Sequence, residues 1–229
     1  TTLLSQMGVT SLEKLQASQQ MINMLRAATG IAKAVAVAEF VRELVGEGRR
    51  VVLYGWHRAV YDIWMQSFDE VIDHRRIRYA MITGSEPAAT KTATVAAVVA
   101  PGSDIDVLIV SLRAGAGMDG LQHVCSTVVF GELDWSPKVH DQCTTRLDRD
   151  GQKESVQAFF CAAKVGIDPI MVDVCGAKRR QSGPMMDPDQ FFDAELLEGG
   201  APEDLTKRIA ESVLAGDLLR EREVDDVGA

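Results

Sequence analysis

The chain has 229 residues, of which 46% are hydrophobic and 25% are charged, a composition typical of a globular protein and not of a disordered or fibrous one. This length suits one domain with extensions or two small domains, and no apolar run approaches the roughly 20 residues that cross a bilayer. The net charge of −9 and the pI of about 5.0 exclude a molecule that is basic all over, although one local basic face remains compatible with nucleic-acid binding.

The cysteines and the start of the chain indicate the kind of protein it comes from. The four cysteines are 18, 18 and 14 positions apart and include no C-x-x-C pair, so we expect reduced, packed thiols of an intracellular protein and neither a zinc site nor a disulfide framework. The sequence does not begin with methionine, and it has no basic start followed by an apolar segment. This fits an excised fragment without a signal peptide.

The apolar pattern changes near Thr29. Residues 1–28 are polar and helix-prone, and we interpret them as a helical lead-in. From there, apolar residues recur at intervals of three and four, which predicts an amphipathic helix that ends near Gly46 and Gly48. The members of this stripe are Ile31, Val35, Ala38, Val41 and Val45.

Five short apolar runs then alternate with helical segments. The runs do not alternate apolar with polar residues, a pattern typical of strands buried on both faces of a parallel sheet. The sequence therefore predicts an α/β fold with an open parallel sheet and helices on both faces, whose ligands lie beyond the carboxyl ends of the strands. The predicted strands are 51–54, 79–82, 106–110, 127–130 and 156–160, and the predicted helices between them are 58–73, 87–100 and 137–147.

The last part of the chain is predicted to be helical and acidic. A helix follows residue 164 and reaches about residue 180, Gly183-Pro184 breaks it, and a charged helix occupies 203–222. The predicted organisation is thus a lead-in at 1–28, an α/β lobe at 29–182 and an acidic helical extension at 183–229.

The most informative segment follows the fourth strand. Ser136 is suited to cap a helix that starts at Pro137, and Gly151 is suited to end it. Gln142, Arg146 and Arg149 are four and three residues apart and would share one face of this helix.

Two arginines in this place are suited to bind phosphate. A guanidinium is permanently charged and forks onto phosphate oxygens, so a pair of them at the carboxyl edge of the sheet could reach the γ-phosphate of a nucleotide held by another lobe. The alternative interpretation is a pair of surface arginines bound to Asp148 and Asp150.

The same segment resembles the last conserved motif of the Swi/Snf-type ATPases, Q-x-x-x-R-x-x-R-x-G-Q, preceded by that family's acidic-x-x-W-x-P stretch. The resemblance extends over about 30–180. It implies the RecA-like fold of the C-terminal lobe of a superfamily-two, helicase-like DNA translocase, with Arg146 and Arg149 as arginine fingers and Gln142 near the nucleotide. The matching residues are Glu132, Trp135, Pro137, Gln142, Arg146, Arg149, Gly151 and Gln152.

A glycine-rich loop follows the third strand at 111–122. Glycines at such a place let the backbone approach a ligand closely. The resemblance implies that Ser111 and Arg113 lie near DNA and that Gly117 and Asp119 lie near ATP, although the match of Asp119 to the family's asparagine requires a one-residue shift. The alternative is a structural loop.

The ends of the first two strands carry further family-like residues. The resemblance implies that Trp56, His57, Gly84 and Ser85 face the nucleic-acid backbone, a kind of contact that positions a protein without specifying sequence. The alternatives are a packed tryptophan and a helix N-cap at Ser85.

Some positions depart from the family pattern or leave two interpretations open. Asp148 stands where the family has a histidine between the two arginines, and Lys91 stands where it has an arginine. The basic clusters at 75–78 and 178–180 are either DNA contacts or solvated helix ends.

The chain has no G-x-x-x-x-G-K-[S/T] phosphate loop and no predicted metal site. The resemblance therefore implies part of an ATP hydrolase that is inactive alone: ATP, with its Mg²⁺, would be held by the N-terminal RecA-like lobe of the same parent protein. The other expected partner is double-stranded DNA, with no membrane involved.

Within the family, the segment 130–152 most resembles the annealing-helicase type and bacterial or phage relatives. This resemblance implies a cytoplasmic protein that is nucleoid-associated when on DNA. Two alternative functions remain. One is a Rossmann-like nucleotide-binding module with its phosphate cradle at 115–120, and the other is an ATP-independent DNA-binding or interaction module.

Overall fold

The computed structural model describes residues 11–72, 74–114 and 118–186. The helices are α1 (Ser11–Gly46), α2 (Arg58–Asp69), α3 (Ala88–Val99), α4 (Pro137–Thr144) and α5 (Asp168–Met186), with a short 3₁₀ helix at Leu121–His123. The strands are β1 (Val51–Gly55), β2 (Tyr79–Ile82), β3 (Val107–Ser111), β4 (Thr127–Phe130) and β5 (Gln157–Phe160). Among these helices none is long and apolar enough to cross a membrane.

The five strands form one parallel sheet in the order β2-β3-β1-β4-β5. Alternate residues of the central strands face two separate cores. One core lies against α3, α4, α5 and the part of α1 that carries Ile22, and the other lies against α2 and the rest of α1. The predicted α/β class, with an open parallel sheet between helices, is confirmed, and every strand lies within one residue of its predicted position.

The strands at the two edges are less buried than expected. The residues of β1, β3 and β4 are all buried, whereas β5 is exposed or half-buried throughout and β2 is half-buried except at Ile82. The prediction that all five runs are covered on both faces is therefore wrong for β5 and β2, because an edge strand has a neighbour on one side only.

The long helix α1 differs from the predicted one in its start and in its buried face. It begins at Ser11 and so runs through the predicted boundary at residue 28. Ile31 and Val35 are 42% and 54% exposed, while Ala34, Val37 and Val41 are buried. The first two residues of the predicted apolar stripe, Ile31 and Val35, therefore face outward, and Ala34 and Val37 face the core in their place.

The other helix ends also differ. Helix α5 continues through Gly183-Pro184 to Met186, so the predicted break is wrong. Pro184 lacks a backbone N–H and removes one hydrogen bond, which the helix tolerates, since Met185 and Met186 continue it. Residues 187–229 lie outside the described residues, and the division of the chain at 28 and 182 stays a prediction.

Helix α1 is attached to the β5 side of the sheet by a buried ion pair. Nζ of Lys33 lies 2.6 Å from Oδ2 of Asp168 and 2.6 Å from the carbonyl oxygen of Cys161. The backbone N–H of Ala163 donates to the same carboxylate at 2.8 Å. One lysine therefore joins α1 to the end of β5 and to the first residue of α5.

Candidate functional site at the carboxyl edge of the sheet

The loops that follow β1, β2, β3 and β4 meet along one edge, which we call the carboxyl edge: residues 56–57, 83–86, 112–114 with 118–120, and 131–136. The strand register places their starting points level, since Gly55 pairs with Ser111, Tyr54 with Phe130 and Ile82 with Val110. Most of the site residues predicted from the sequence lie in these loops, as expected for a parallel sheet. Gly117 lies outside the described residues.

The helix that follows β4 is shorter than predicted. Ser136 occupies the N-cap position and Pro137 the first turn, but the Ser136 side chain makes no capping hydrogen bond. The helix ends at Thr144, and the backbone continues in turns up to Gly151, whose φ is +92°. The prediction that Gln142, Arg146 and Arg149 share one helical face is therefore wrong.

The turns nevertheless direct both arginines to the loop after β3. Nη1 of Arg149 lies 2.6 Å from Oδ1 of Asp119, and its Nε donates to the carbonyl of Thr145 at 3.1 Å. Nη2 of the half-buried Arg146 donates to the carbonyl of Ala114 at 3.4 Å. Arg149 thus pairs with Asp119, and not with Asp148 or Asp150 as the structural alternative supposed.

Three of the residues predicted to lie near ATP, Arg146, Arg149 and Asp119, are brought together by these contacts. Gln142 is exposed on α4, one turn before the arginines. The ion pair of Arg149 is exposed as well: its side chain is 45% exposed and that of Asp119 is 82% exposed. Both groups are therefore accessible to a ligand that approaches the carboxyl edge.

On the other part of the carboxyl edge, Trp56 lies against two guanidinium groups. The Cζ atom of Arg113 is 5.1 Å from the centroid of its ring, and that of Arg26 is 5.8 Å from it, both at cation–π distance. The Arg113 side chain is 64% exposed, while Ser111 at the end of β3 is buried. Trp56 and Arg113, which the sequence predicted to contact DNA from separate loops, are therefore neighbours.

Glu132 binds the turn that carries Trp56 and His57. Its Oε2 accepts the backbone N–H groups of Trp56 at 2.7 Å and of His57 at 2.8 Å, and its Oε1 lies 2.5 Å from Nδ1 of His57. Burial would raise the pKa of Glu132, but the hydrogen bonds from His57 and Trp56 hold it below its usual value. Glu132 is thus a carboxylate with three donors around it.

Arg26 and Asp134 complete this cluster. Arg26 is buried and donates to the carbonyl of Leu133 at 2.9 Å. Burial lowers the pKa of Arg26, an effect that Asp134 and Glu132 oppose. Asp134 is buried too, with Oδ1 accepting the N–H of Ser136 and Oδ2 at 3.6 Å from Arg113. The polar cluster therefore joins α1 to the loops after β1, β3 and β4.

Sequence reasoning missed the roles of Arg26 and Glu132. Arg26 fell within the segment taken as a lead-in, and no local pattern distinguishes it from a solvated arginine. Glu132 was noted only as the acidic residue of the family stretch, and its position two residues after a strand end was the available signal.

The turn after β2 is organised by Glu86. Its carboxylate accepts the N–H and hydroxyl of Thr83 at 3.0 and 2.6 Å and the N–H of Gly84 at 2.9 Å. Gly84 has a φ of +101°, and Lys91 donates to its carbonyl at 3.0 Å. Ser85 is exposed, and the N-cap of α3 is Pro87, so the alternative of an N-cap at Ser85 is wrong.

Removing the charge of Glu86 is expected to change how stability depends on pH. Burial would raise the pKa of Glu86, but the hydrogen bonds from Thr83 and Gly84 outweigh it and lower the pKa to about 2. Because the folded pKa lies below the unfolded one, the ionised group stabilises the fold above about pH 4.5, and this contribution is lost as the pH falls toward 2. We expect Glu86→Gln to be less stable than the wild type at pH 7 and equal to it near pH 2 in urea unfolding, with Glu43→Gln on exposed α1 surface as the control. A difference that persists unchanged at pH 2 would contradict this.

The basic cluster at 75–78 lies away from the carboxyl edge. Arg75 pairs with Asp106 at 2.8 Å and Arg78 with Asp104 at 2.7 Å, just before β3 begins. Arg76 lies 4.0 Å from Asp69. The cluster is thus held by acidic neighbours at the amino-terminal ends of the strands, which favours the interpretation as a solvated surface over a DNA contact.

The carboxylates, histidines and thiols of the described residues, and a cavity beside Trp56, offer no other binding site. Among the described residues, no group of three or more His, Cys, Asp or Glu could hold a metal ion. Burial raises the pKa of Cys125 and Cys143 to about 11, as for packed, unreactive thiols. A cavity of about 150 Å³ lies between the ends of β1 and β2 beside Trp56 and Thr83, and small-molecule pockets are typically at least about 300 Å³. This cavity is therefore too small for a nucleotide.

Comparisons with known proteins extend this description. No family model matches the chain. The chain is 31% identical over 137 residues to the chromatin-remodeling ATPase INO80 of Emericella nidulans, covering 60% of this chain and 8% of that protein. It is 29% identical over 134 residues to the ISWI chromatin-remodeling complex ATPase CHR17 of Arabidopsis thaliana, covering 58% of this chain and 12% of that protein.

A solved structure is similar in fold. The C-terminal part of the Fun30 ATPase domain superposes with a TM-score of 0.54 at 16% identity, over 76% of this chain and 50% of that one. The resemblance to the Swi/Snf-type ATPases, and to their C-terminal lobe, is confirmed. The chain spans only 8% to 12% of the length of the two curated relatives named above.

The expected location was wrong. The sequence suggested a cytoplasmic bacterial or phage protein, but the relatives that match are chromatin-remodelling ATPases of fungi and a plant. Chromatin is a nuclear structure in these organisms. The short stretch at 130–152 had suggested the bacterial and phage group, and the longer alignment outweighs it.

Proposed function

We propose that this chain is the second motor lobe of a DNA-dependent ATPase, and that it completes an ATP site whose other half lies on an N-terminal lobe of the same parent protein. The observation that carries the proposal is the placement of Arg146 and Arg149 at the carboxyl edge, where both contact the loop after β3. The similarity to ATPases of the Swi/Snf type and to the C-terminal part of an ATPase domain supports it.

On the ATP side, the chain would supply positive charge to a nucleotide that it does not itself enclose. When the lobes close, the Arg149 guanidinium would leave Asp119 and fork onto the γ-phosphate, with Arg146 beside it. Charge that develops on the transferred phosphoryl group in the transition state would be stabilised by these arginines. ATP and Mg²⁺ would be held by the partner lobe, which fits the absence of a phosphate loop from this sequence.

On the DNA side, the chain would contact the duplex backbone with the loops after β1, β2 and β3. Arg113 offers an exposed guanidinium, and the exposed turn at Gly84 and Ser85 offers the hydroxyl of Ser85. Such contacts position a protein without reading sequence. A net charge of −9 is compatible with them because the contact needs only this local surface. Repeated closure and opening would then move the protein along DNA.

The proposal is tested by comparing the parent protein with the isolated chain. We expect the parent protein, with both lobes, to hydrolyse ATP at a rate that rises with added double-stranded DNA, and the 229-residue chain alone to show no hydrolysis. ATP turnover would be measured with and without duplex DNA, and binding of ATP and of a dinucleotide to the isolated chain by calorimetry.

Two outcomes would reject the proposal. A parent protein whose ATP turnover is indifferent to DNA would favour an ATP-independent or non-DNA role for this lobe. Tight binding of a dinucleotide to the isolated chain would favour the Rossmann-like alternative, in which no partner lobe is needed.

A further inference from the structure

Glu132 has a position that the proposed function does not use. It is 4% exposed and lies two residues after β4, in the connection that leads into α4. Helix α1 closes over it: a Cβ atom added at Gly30 would lie 2.7 Å from its Oε1. All three of its donors belong to the turn at Trp56 and His57. Its carboxylate therefore serves that turn and is screened from solvent.

The connection that carries Glu132 also touches the other DNA-side loop. Asp134, two residues further on, lies 3.6 Å from Arg113, and α4 begins three residues later at Pro137. Helix α4 in turn leads into the turns that hold Arg146 and Arg149. One short segment, 131–136, is thus bound to the predicted DNA contacts at one end and continuous with the predicted ATP contacts at the other.

We propose that Glu132 is a positioning residue for DNA, which holds the Trp56–His57 turn in its binding geometry and ties that turn to the segment leading to the arginines. This rests on the proposed function. The carboxylate does not itself contact DNA. It acts through two backbone N–H groups and one imidazole nitrogen, since a carboxylate can only accept and the proton shared with His57 is on Nδ1.

The direction in which Glu132→Gln changes DNA binding distinguishes a positioning role from a purely electrostatic one. Removing a negative charge near a DNA-binding surface should strengthen binding to phosphate. If Glu132 positions the turn, Glu132→Gln should weaken the response to DNA instead, because hydrogen bonds to a charged acceptor are about twice as strong as neutral ones. In addition, the amide NH2 group of glutamine would replace one oxygen of Glu132 and face an N–H group of Trp56 or His57, with which it cannot form a hydrogen bond.

The test uses the parent protein with both lobes and measures ATP turnover against duplex DNA concentration. We expect Glu132→Gln to raise the DNA concentration for half-maximal stimulation about tenfold, which corresponds to a loss of about 1.4 kcal/mol. Turnover at saturating DNA should stay within about threefold of the wild type. The matched control is Glu154→Gln, which removes the same charge from an exposed residue bonded to Ser126 before β4, and it should not raise that concentration.

A double-mutant cycle asks whether Glu132 acts through the turn. His57→Ala, at a side chain that is 19% exposed, should raise the half-maximal DNA concentration with little effect on folding. Adding Glu132→Gln to it should then raise the value by clearly less than about tenfold, because the bond to the imidazole is already lost while the two backbone N–H groups remain. Urea unfolding of each variant would verify that the lobe is folded.

The outcomes distinguish this inference from the proposed function. A wild-type parent protein that DNA does not stimulate would overturn both. If DNA stimulates the wild type but Glu132→Gln or His57→Ala leaves the half-maximal concentration unchanged or lowers it, only the role of Glu132 is overturned. Additive effects in the double variant would also overturn it, since they would place the action of Glu132 elsewhere.

Discussion

Replacing Arg149 with alanine is expected to lower the DNA-stimulated ATP turnover of the parent protein at least a hundredfold. Arginine fingers contribute about 10³ to 10⁵ in rate where they have been measured in GTPases, and a second arginine, Arg146, would retain part of that effect here. The affinity for DNA should change little, because Arg149 contacts Asp119 and not Trp56 or Arg113. Turnover at saturating ATP and DNA is the measurement.

The ion pair between Arg149 and Asp119 does not prevent this role. Both side chains are largely exposed, and exposed ion pairs contribute only about 0–1 kcal/mol. A γ-phosphate with several charged oxygens in a closed, water-poor interface would compete for the guanidinium on much better terms. Asp119 therefore holds Arg149 at the carboxyl edge while the two lobes are apart, and breaking this ion pair would cost little free energy when they close.

Two further variants make the prediction for Arg149 specific. Arg149→Lys keeps the charge but loses the planar fork, and we expect it to recover only a minor part of the lost turnover. Arg76→Ala removes another exposed arginine, near the amino-terminal ends of the strands, and should leave turnover at the wild-type level. If Arg149→Ala and Arg76→Ala turn over ATP equally fast, Arg149 is not a finger.

The sheet was predictable because its signals are local. Each strand is a short run rich in apolar residues and long enough to cross the core once, as in Val107–Ser111, and the intervening helices fix the parallel order. The carboxyl edge followed from the same logic, since the loops after parallel strands must meet. The arginines were singled out by the family motif around them, and their role at a nucleotide stays a prediction.

What the sequence did not predict depends on tertiary contacts. The spacing of Gln142, Arg146 and Arg149 fits a helix, yet α4 ends at Thr144 and the arginines reach the loop after β3 from turns. Glu132 binds a segment 75 residues earlier in the chain, which no local pattern reveals. The start of the buried stripe on α1 was misplaced because Ile31 and Val35 satisfy helical spacing but face outward in the folded lobe.

Replacing Lys33 with alanine is expected to cost about 3–5 kcal/mol of unfolding free energy, the usual range when one partner of a buried ion pair is removed. The side chains of Lys33 and Asp168 are 9% and 4% exposed, so Asp168 would be left as a buried carboxylate without its cation. The carbonyl of Cys161 would lose a donor at the same time. Urea unfolding of the full chain, with the slope compared between variants, measures this loss.

Lys33 differs from the other charged residues of α1 because its ion pair is buried. By sequence it is one of several charged residues in α1, and a solvated lysine would be worth almost nothing when truncated. The matched control is Arg76→Ala, which also removes one positive charge but from a pair that is 4.0 Å apart and more than half exposed, and it should cost less than about 1 kcal/mol. Equal losses for the two variants would mean that Lys33 does not join α1 to β5. Arg26 and Gly30, which contact the Glu132 cluster, lie on the same helix as Lys33. Equal losses would therefore also mean that the ion pair of Lys33 does not hold these two residues in place.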